Sequence, residues 1–456
     1  MTENVTSKTD ERLERQNALT DRKRAREQRE RDAVEGNTHG KNKWAILFTV
    51  LIMTFMGCLD SSIVTVALPV MQKELGVGLD QIQLVSSFYL LATCVVILPF
   101  GRAGDRLGKV RVFQAGVLIF TVGSLLCGLS PNLPILIVAR VVQGIGNAAA
   151  MANNMGIITE SFPARERGRA MGMLATFVAL GMMAGPVLGG VLVSIFPWES
   201  IFIINIPVGL ASFLLGLHTL PHVRPDRNED QPSFAESARA CFSSSKFNVN
   251  LACMLIMFIG IGASEFVLPF YFQDGCGYSA GVSSMLFLAL PVVNAVVGPI
   301  SGNVSDRIGC EIPTTLGLAI YICGLFTITL LTNVSSIPVI VASVAFLSLG
   351  SSIFQSPNNA LYMSSAPREA LGFAGSLGSL ARYAGMAIGI EIASRVLYAQ
   401  MAAAAGGVAQ STATAAPAVF LFGFRSVFYL LMISTAFGFA LTCARFAIKR
   451  RSRRAC

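Results

Sequence analysis

Long stretches of this chain hold no charge at all. Only 13% of its 456 residues are Asp, Glu, Lys or Arg, against 53% hydrophobic, a balance far from that of a soluble domain. Uncharged runs long enough to cross about 30 Å of hydrocarbon recur along it, which argues against a soluble protein and for an integral membrane one. The formal net charge of +9 does not point to nucleic acid, because the basic residues gather in the two tails and in alternate loops, a pattern of membrane orientation. Metal-ligand spacing is missing too. The ten cysteines, among them Cys58, Cys94, Cys127, Cys253 and Cys323, lie scattered with no Cys-x-x-Cys pair and read as packing residues. Neither a nucleophile-base pair nor a phosphate-binding glycine loop is present, so no enzyme and no bound cofactor are expected. An early apolar core is also absent: residues 1–43 carry 20 charges, so this tail is not a signal peptide but a solvated or partly helical segment.

What is there is a series of apolar spans separated by charged or Gly/Pro-rich breaks. The first six cover approximately 44–70, 81–103, 109–129, 131–159, 168–196 and 200–220. Residues 221–247 are polar and too short to hide another pair of spans, so they form a linker. Six more follow at roughly 248–273, 281–301, 313–332, 336–362, 371–398 and 419–446. The expected fold is therefore all-α and integral to the membrane: twelve transmembrane helices in two pseudo-symmetric six-helix bundles, 44–220 and 248–446, with a basic tail at 447–456.

Lys and Arg fall in the N-terminal tail, around 102–111, 165–169, 224–246, 307 and 368, and from Arg445 to Arg454, all on one side of such a bundle. The opposite loops contain none except Lys73. Both termini are thus expected to be cytoplasmic. Trp44 and Trp198 stand at span ends, where indole rings favour the interface.

The chain repeats itself. Gly101-Arg102-Ala103-Gly104-Asp105-Arg106-Leu107-Gly108-Lys109-Val110-Arg111 has a weaker echo in Gly302-Asn303-Val304-Ser305-Asp306-Arg307-Ile308-Gly309, which lacks the basic residues after its last glycine. Ala184-Gly185-Pro186-Val187-Leu188-Gly189 matches Ala384-Gly385-Met386-Ala387-Ile388-Gly389, 200 positions on. A six-plus-six repeat of this kind places a binding site near the midplane, between the halves.

Several stretches resemble the major facilitator superfamily, and specifically its drug:proton antiporter branches. The loop residues Gly101, Asp105, Arg106, Gly108, Lys109 and Arg111, with Asp306 and Arg307 in the second copy, resemble that family's cytoplasmic motif, which implies a conformational latch; the plainer reading is a basic loop that only sets orientation. Leu59-Asp60-Ser61-Ser62-Ile63-Val64-Thr65-Val66-Ala67-Leu68-Pro69 resembles a first-helix signature of those branches. Arg140-Val141-Val142-Gln143-Gly144-Ile145-Gly146 resembles the fourth-helix motif with its embedded arginine. Gly181, Gly185, Pro186, Gly189 and Gly190 stand at the positions of the fifth-helix antiporter motif, which implies export. Phe270-Tyr271-Phe272-Gln273 and Pro357-Asn358-Asn359-Ala360-Leu361 look like the fourteen-helix branch, yet the linker has no room for its two extra helices.

Counting from the outer ends puts Asp60 and Arg140 both near 15 Å deep, within reach of each other directly or through water. Glu265 stands at nearly the depth of Asp60, so two carboxylates are expected to face each other across the pseudo-twofold axis, as proton carriers or as neutral packing groups. Glu391 and Arg395 are spaced to neutralise each other; Arg382 is left without a partner in its own helix and becomes a coupling candidate. Asn153, Asn154, Asn358 and Asn359 line the cavity or glue helices. The resemblance and these residues together imply a proton-coupled exporter of amphipathic or cationic compounds in a bacterial inner membrane. Its partners would be substrate, protons and lipid, not nucleic acid, and it would work as a monomer driven by the proton gradient without a cofactor. The alternatives are an exporter of one endogenous metabolite and a non-transporting receptor.

Overall fold

A computed structural model of the chain describes residues 42–221, 234–367, 370–406, 412 and 415–455. The readings made for residues 1–41 and for most of the polar linker fall outside the described residues.

Among the described residues, twelve helices account for the spans. The first half comprises α1 (Lys43–Leu75), α2 in two segments (Leu79–Ile82 and Leu84–Leu107), α3 (Lys109–Gly128), α4 (Leu133–Ser161), α5 (Ala164–Ile195) and α6 (Ser200–Ile203 and Asn205–Thr219). The second comprises α7 (Ser245–Phe270, running on through a wider π turn at Tyr271–Gly275), α8 (Ala280–Phe287 and Ala289–Ile308), α9 (Glu311–Thr329), α10 (Ile337–Ser364), α11 (Leu371–Ala404) and α12 (Pro417–Ala455). Among the described residues, 11 are long and apolar enough to cross a membrane by length and composition. The exception is α11, whose 34 residues are diluted by glycine and alanine and by Arg382, Glu391 and Arg395. It nonetheless takes its place in the bundle, packed on α7, α2 and α12.

The helix pairs that pack in the first half recur in the second. Helix α3 lies along α4 as α9 lies along α10, α1 against α5 as α7 against α11, and α2 on α4 as α8 on α10. The reason is local. Gly181, Gly185 and Gly189 repeat every four residues and form one stripe of α5. A Cβ on Gly185 would stand 1.9 Å from Ser62 Oγ, and one on Gly181 2.6 Å from the Phe55 carbonyl, so only glycine permits this approach to α1. In α11, Gly389 plays the same part, its added Cβ falling 2.2 Å from the Ile259 carbonyl of α7. In hydrocarbon, where lipid is as apolar as leucine, such close van der Waals packing is what holds helices together.

The turns repeat as well. Gly108 ends α2 at φ 105° and Gly309 ends α8 at φ 86°, each donating its N–H at 2.9 Å to the carbonyl four residues back, Gly104 and Ser305 respectively. That left-handed backbone suits glycine alone.

Within the linker, Phe234–Phe242 forms a short amphipathic helix that lays Phe234 edge-on against Phe373 of α11, with ring centroids 5.1 Å apart, and under the guanidinium of Arg102 in α2. Trp198, just ahead of α6 at the end of its span, is 3% exposed. The loop before α6 folds inward and packs its indole edge-on against Phe202, so protein rather than lipid covers the ring.

The halves meet along two seams, α2 with α11 and α5 with α8, which the duplication relates to each other. At the end away from the basic loops the seams are tied. Lys73 Nζ lies 2.8 Å from Asp274 Oδ1, Gln273 Nε2 donates to the Val66 carbonyl at 3.2 Å, and Thr412 Oγ1 donates to Gln72 Oε1 at 3.2 Å. Gly190 admits the close approach of Ser284 and the Ala280 carbonyl at the same end.

Candidate functional site

Successive helical residues are turned by about 100°, so Cys58 and Asp60 of α1 point to nearly opposite sides of the helix. Asp60 is the one turned into the first half. Its side chain is wholly buried, and so is that of Arg140. Arg140 donates from Nη1 to Asp60 Oδ2 at 2.7 Å and from Nε to the Val85 carbonyl of α2 at 3.1 Å. Pairing a buried guanidinium with a carboxylate in this way removes most of the cost of either charge in a low-dielectric interior.

The pair has further supports to which the sequence reading gave no role. Gln143, one turn on from Arg140, accepts from Arg140 Nη1 at 2.6 Å and donates to Asp60 Oδ1 at 2.8 Å and to Ser124 Oγ of α3 at 2.7 Å. Asn205, at the bend of α6, donates to the same Asp60 oxygen at 2.8 Å. The guanidinium lies 4.0 Å over the ring of Tyr89 and 5.6 Å from that of Phe202. Five helices, α1, α2, α3, α4 and α6, thus converge on one ion pair. The Arg140–Gln143 spacing of three residues, one helical face, was the available signal for Gln143; Asn205, a lone amide in an apolar span, gave a fainter one.

Glu265 does not join this network. The donors to Asp60 all belong to the first half, while Glu265 sits half-buried on α7 without an ion pair or hydrogen bond among the described residues. Arg382 of α11 is also unpaired. Its Nε is buried with no acceptor, its guanidinium lies 5.2 Å from the Phe258 ring centroid of α7, and its charge acts on Cys58 of α1. Glu391 and Arg395 pair with each other one turn apart.

The asparagines are spent largely on neighbouring helices. Asn153 donates to the Phe100 carbonyl of α2 at 3.2 Å and fits against Gly104, where a Cβ would stand 1.7 Å from its Oδ1. Asn154 reaches Thr54 Oγ1 at 3.3 Å and Asn358 the Asn250 carbonyl at 3.3 Å; Asn359 is half-buried. At the basic loops Lys109 pairs with Glu160 of α4, Gly101 faces Ser376 of α11 across the seam at 3.5 Å from its added Cβ, and Arg106, Arg111 and Arg307 are exposed. The side chains of Asp105 and Asp306 lie outside the described residues. Pro186 lies within the unbroken α5.

Comparison with known proteins agrees with this architecture. A family model described as Major Facilitator Superfamily matches residues 50–390. Riboflavin transporter RibZ of Clostridioides difficile (strain 630) is 31% identical, over 76% of this chain and 87% of that protein. The tetracenomycin C resistance and export protein of Streptomyces glaucescens is 27% identical over 80% of this chain and 77% of its own, and multidrug resistance protein Stp of Mycobacterium tuberculosis (strain ATCC 25618 / H37Rv) 27% over 76% and 75%. Among solved structures, a bacterial homolog of the human lysosomal transporter Spinster superposes with a TM-score of 0.71 at 17% identity, covering 88% of this chain and 97% of that one.

Proposed function

Because the chain belongs to the major facilitator superfamily, we propose that this membrane transporter is a proton-coupled exporter of amphipathic organic compounds, working in a bacterial inner membrane with both termini cytoplasmic, and not an enzyme. The observation that carries the reading is the Asp60–Arg140 pair, a carboxylate and a guanidinium wholly buried in the membrane span and bonded at 2.7 Å. A proton delivered to Asp60 cancels the charge that Arg140 balances and leaves a buried cation uncompensated. The five helices around it then repack to restore balance, and this strain is what drives the halves to rock. Since Arg140 already occupies Asp60, the carboxylate serves the proton rather than a cationic cargo. The tied end described above closes one side of the midplane space, as alternating access requires. The glycine stripe on α5, with the export proteins among the relatives, supports outward transport.

Asp60→Asn keeps the shape and removes the proton site. The variant strands Arg140 and is expected to unfold at a lower temperature; assayed below that temperature, in proteoliposomes with an imposed pH gradient, it is expected to bind cargo and to lose gradient-driven efflux, and efflux equal to that of the unmodified protein would end the assignment. A second reading, export of a single endogenous compound, is favoured by the 31% identity to a riboflavin transporter. Expression in a pump-deficient host against a panel of dyes and drugs separates the two, since broad resistance disfavours a single cargo.

A further inference from the structure

Arg140 and Arg382 both lie deep in their spans, and they are treated differently. Arg140 has a carboxylate, a backbone carbonyl and an amide oxygen as acceptors. Arg382 has none among the described residues, and its Nε is buried without a partner. An unpaired guanidinium at this depth is costly, and one that persists faces a cavity or a ligand. The carboxylates that might have neutralised it are all engaged or turned away: Asp60 is held by Arg140 on the far side of α1, Glu391 is held by Arg395, and Glu265 stands elsewhere on α7. The Phe258 ring of α7 lies against Arg382, the charge of Arg382 is felt by Cys58 of α1 and by Tyr383 beside it, and Tyr383 bonds to Asn147 of α4. These residues come from both halves, so Arg382 lies between them.

We infer that Arg382 holds the acidic end of the cargo, and that the cargo class is organic anions bearing an ionisable oxygen, a carboxylate, phenolate or enolate. The oxygen accepts from the guanidinium, which has no acceptor of its own among the described residues and lies beside the Phe258 ring. This rests on the proposed export reading only in taking the seam as the transport path; binding itself needs no gradient.

Fluorescein and rhodamine 6G share a xanthene ring system and differ in charge, which makes them the probes. Equilibrium binding to the purified full chain, followed by fluorescence anisotropy near neutral pH, is expected to favour the anionic dye. Arg382→Gln should weaken fluorescein by about tenfold or more, the worth of one charged hydrogen bond, and leave rhodamine 6G unchanged or tighter, with Arg382→Lys recovering part of the loss. Equal affinity of the unmodified protein for both dyes, failure to bind fluorescein, or parallel loss of both dyes in Arg382→Gln at unchanged thermal stability would each overturn the inference. Arg382-dependent binding without gradient-driven efflux would sustain it and sink the proton-coupled reading instead.

Discussion

Asp60 and Arg140 belong together because neither is tolerable alone. Removing one partner of a buried pair strands the other, at a cost of about 3–5 kcal/mol, whereas removing both charges is often nearly neutral. Arg140→Gln should therefore lower the unfolding temperature in detergent sharply, and Asp60→Asn combined with Arg140→Gln should recover much of the loss; a double variant no better than the single would show that the two do not act as a unit. That the two stand level was readable from the sequence, because counting 1.5 Å per residue from a span end is robust to small errors. Azimuth was not. A helix turns 100° per residue, so two residues of uncertainty in a span boundary reverse the face. This is why counting sets Asp60 level with Arg140, as their 2.7 Å contact shows, yet expects it across from Glu265, when its side chain turns into its own half.

At the scale of the helix, glycine decides which rods can touch. Gly389 and Gly375 lie in the same helix, but a Cβ on Gly389 would press within 2.2 Å of a backbone carbonyl, while nothing lies within 4 Å of one on Gly375. Gly389→Ala should destabilise the protein by about 1–3 kcal/mol, read as a fall in unfolding temperature, and Gly375→Ala should be neutral or slightly stabilising. Equal effects would mean that helix propensity, not the approach of α11 to α7, governs these positions. The small-residue stripes were legible as a repeated motif. The helix each stripe would meet was not, because a stripe specifies closeness without naming a neighbour.

Across the whole molecule, the duplication was written in the loops and seams, and the twin glycine turns at 108 and 309 follow it closely. One residue broke the charge asymmetry of the loops, Lys73, and the structure gives it a task. It meets Asp274, whose side chain is fully buried against its own 50% exposure, and joins the halves at the tied end. Lys73→Glu sets two like charges against each other there and should slow dye efflux from proteoliposomes by about tenfold. Adding Asp274→Lys should restore it. Failure of the reversed pair to rescue would show that the contact does not help to close that end. Pairings of α2 with α11 and α5 with α8 had no such marker, since they depend on how two whole bundles dock.

The opposed directions of Cys58 and Asp60 on α1 carry one more consequence. A single rod, about 10 Å across, separates the buried ion pair from the unpaired guanidinium. On the reading proposed above, substitutions on α11 would retune what is carried without disturbing the pair behind α1, so new tastes could be acquired while the drive train is inherited intact.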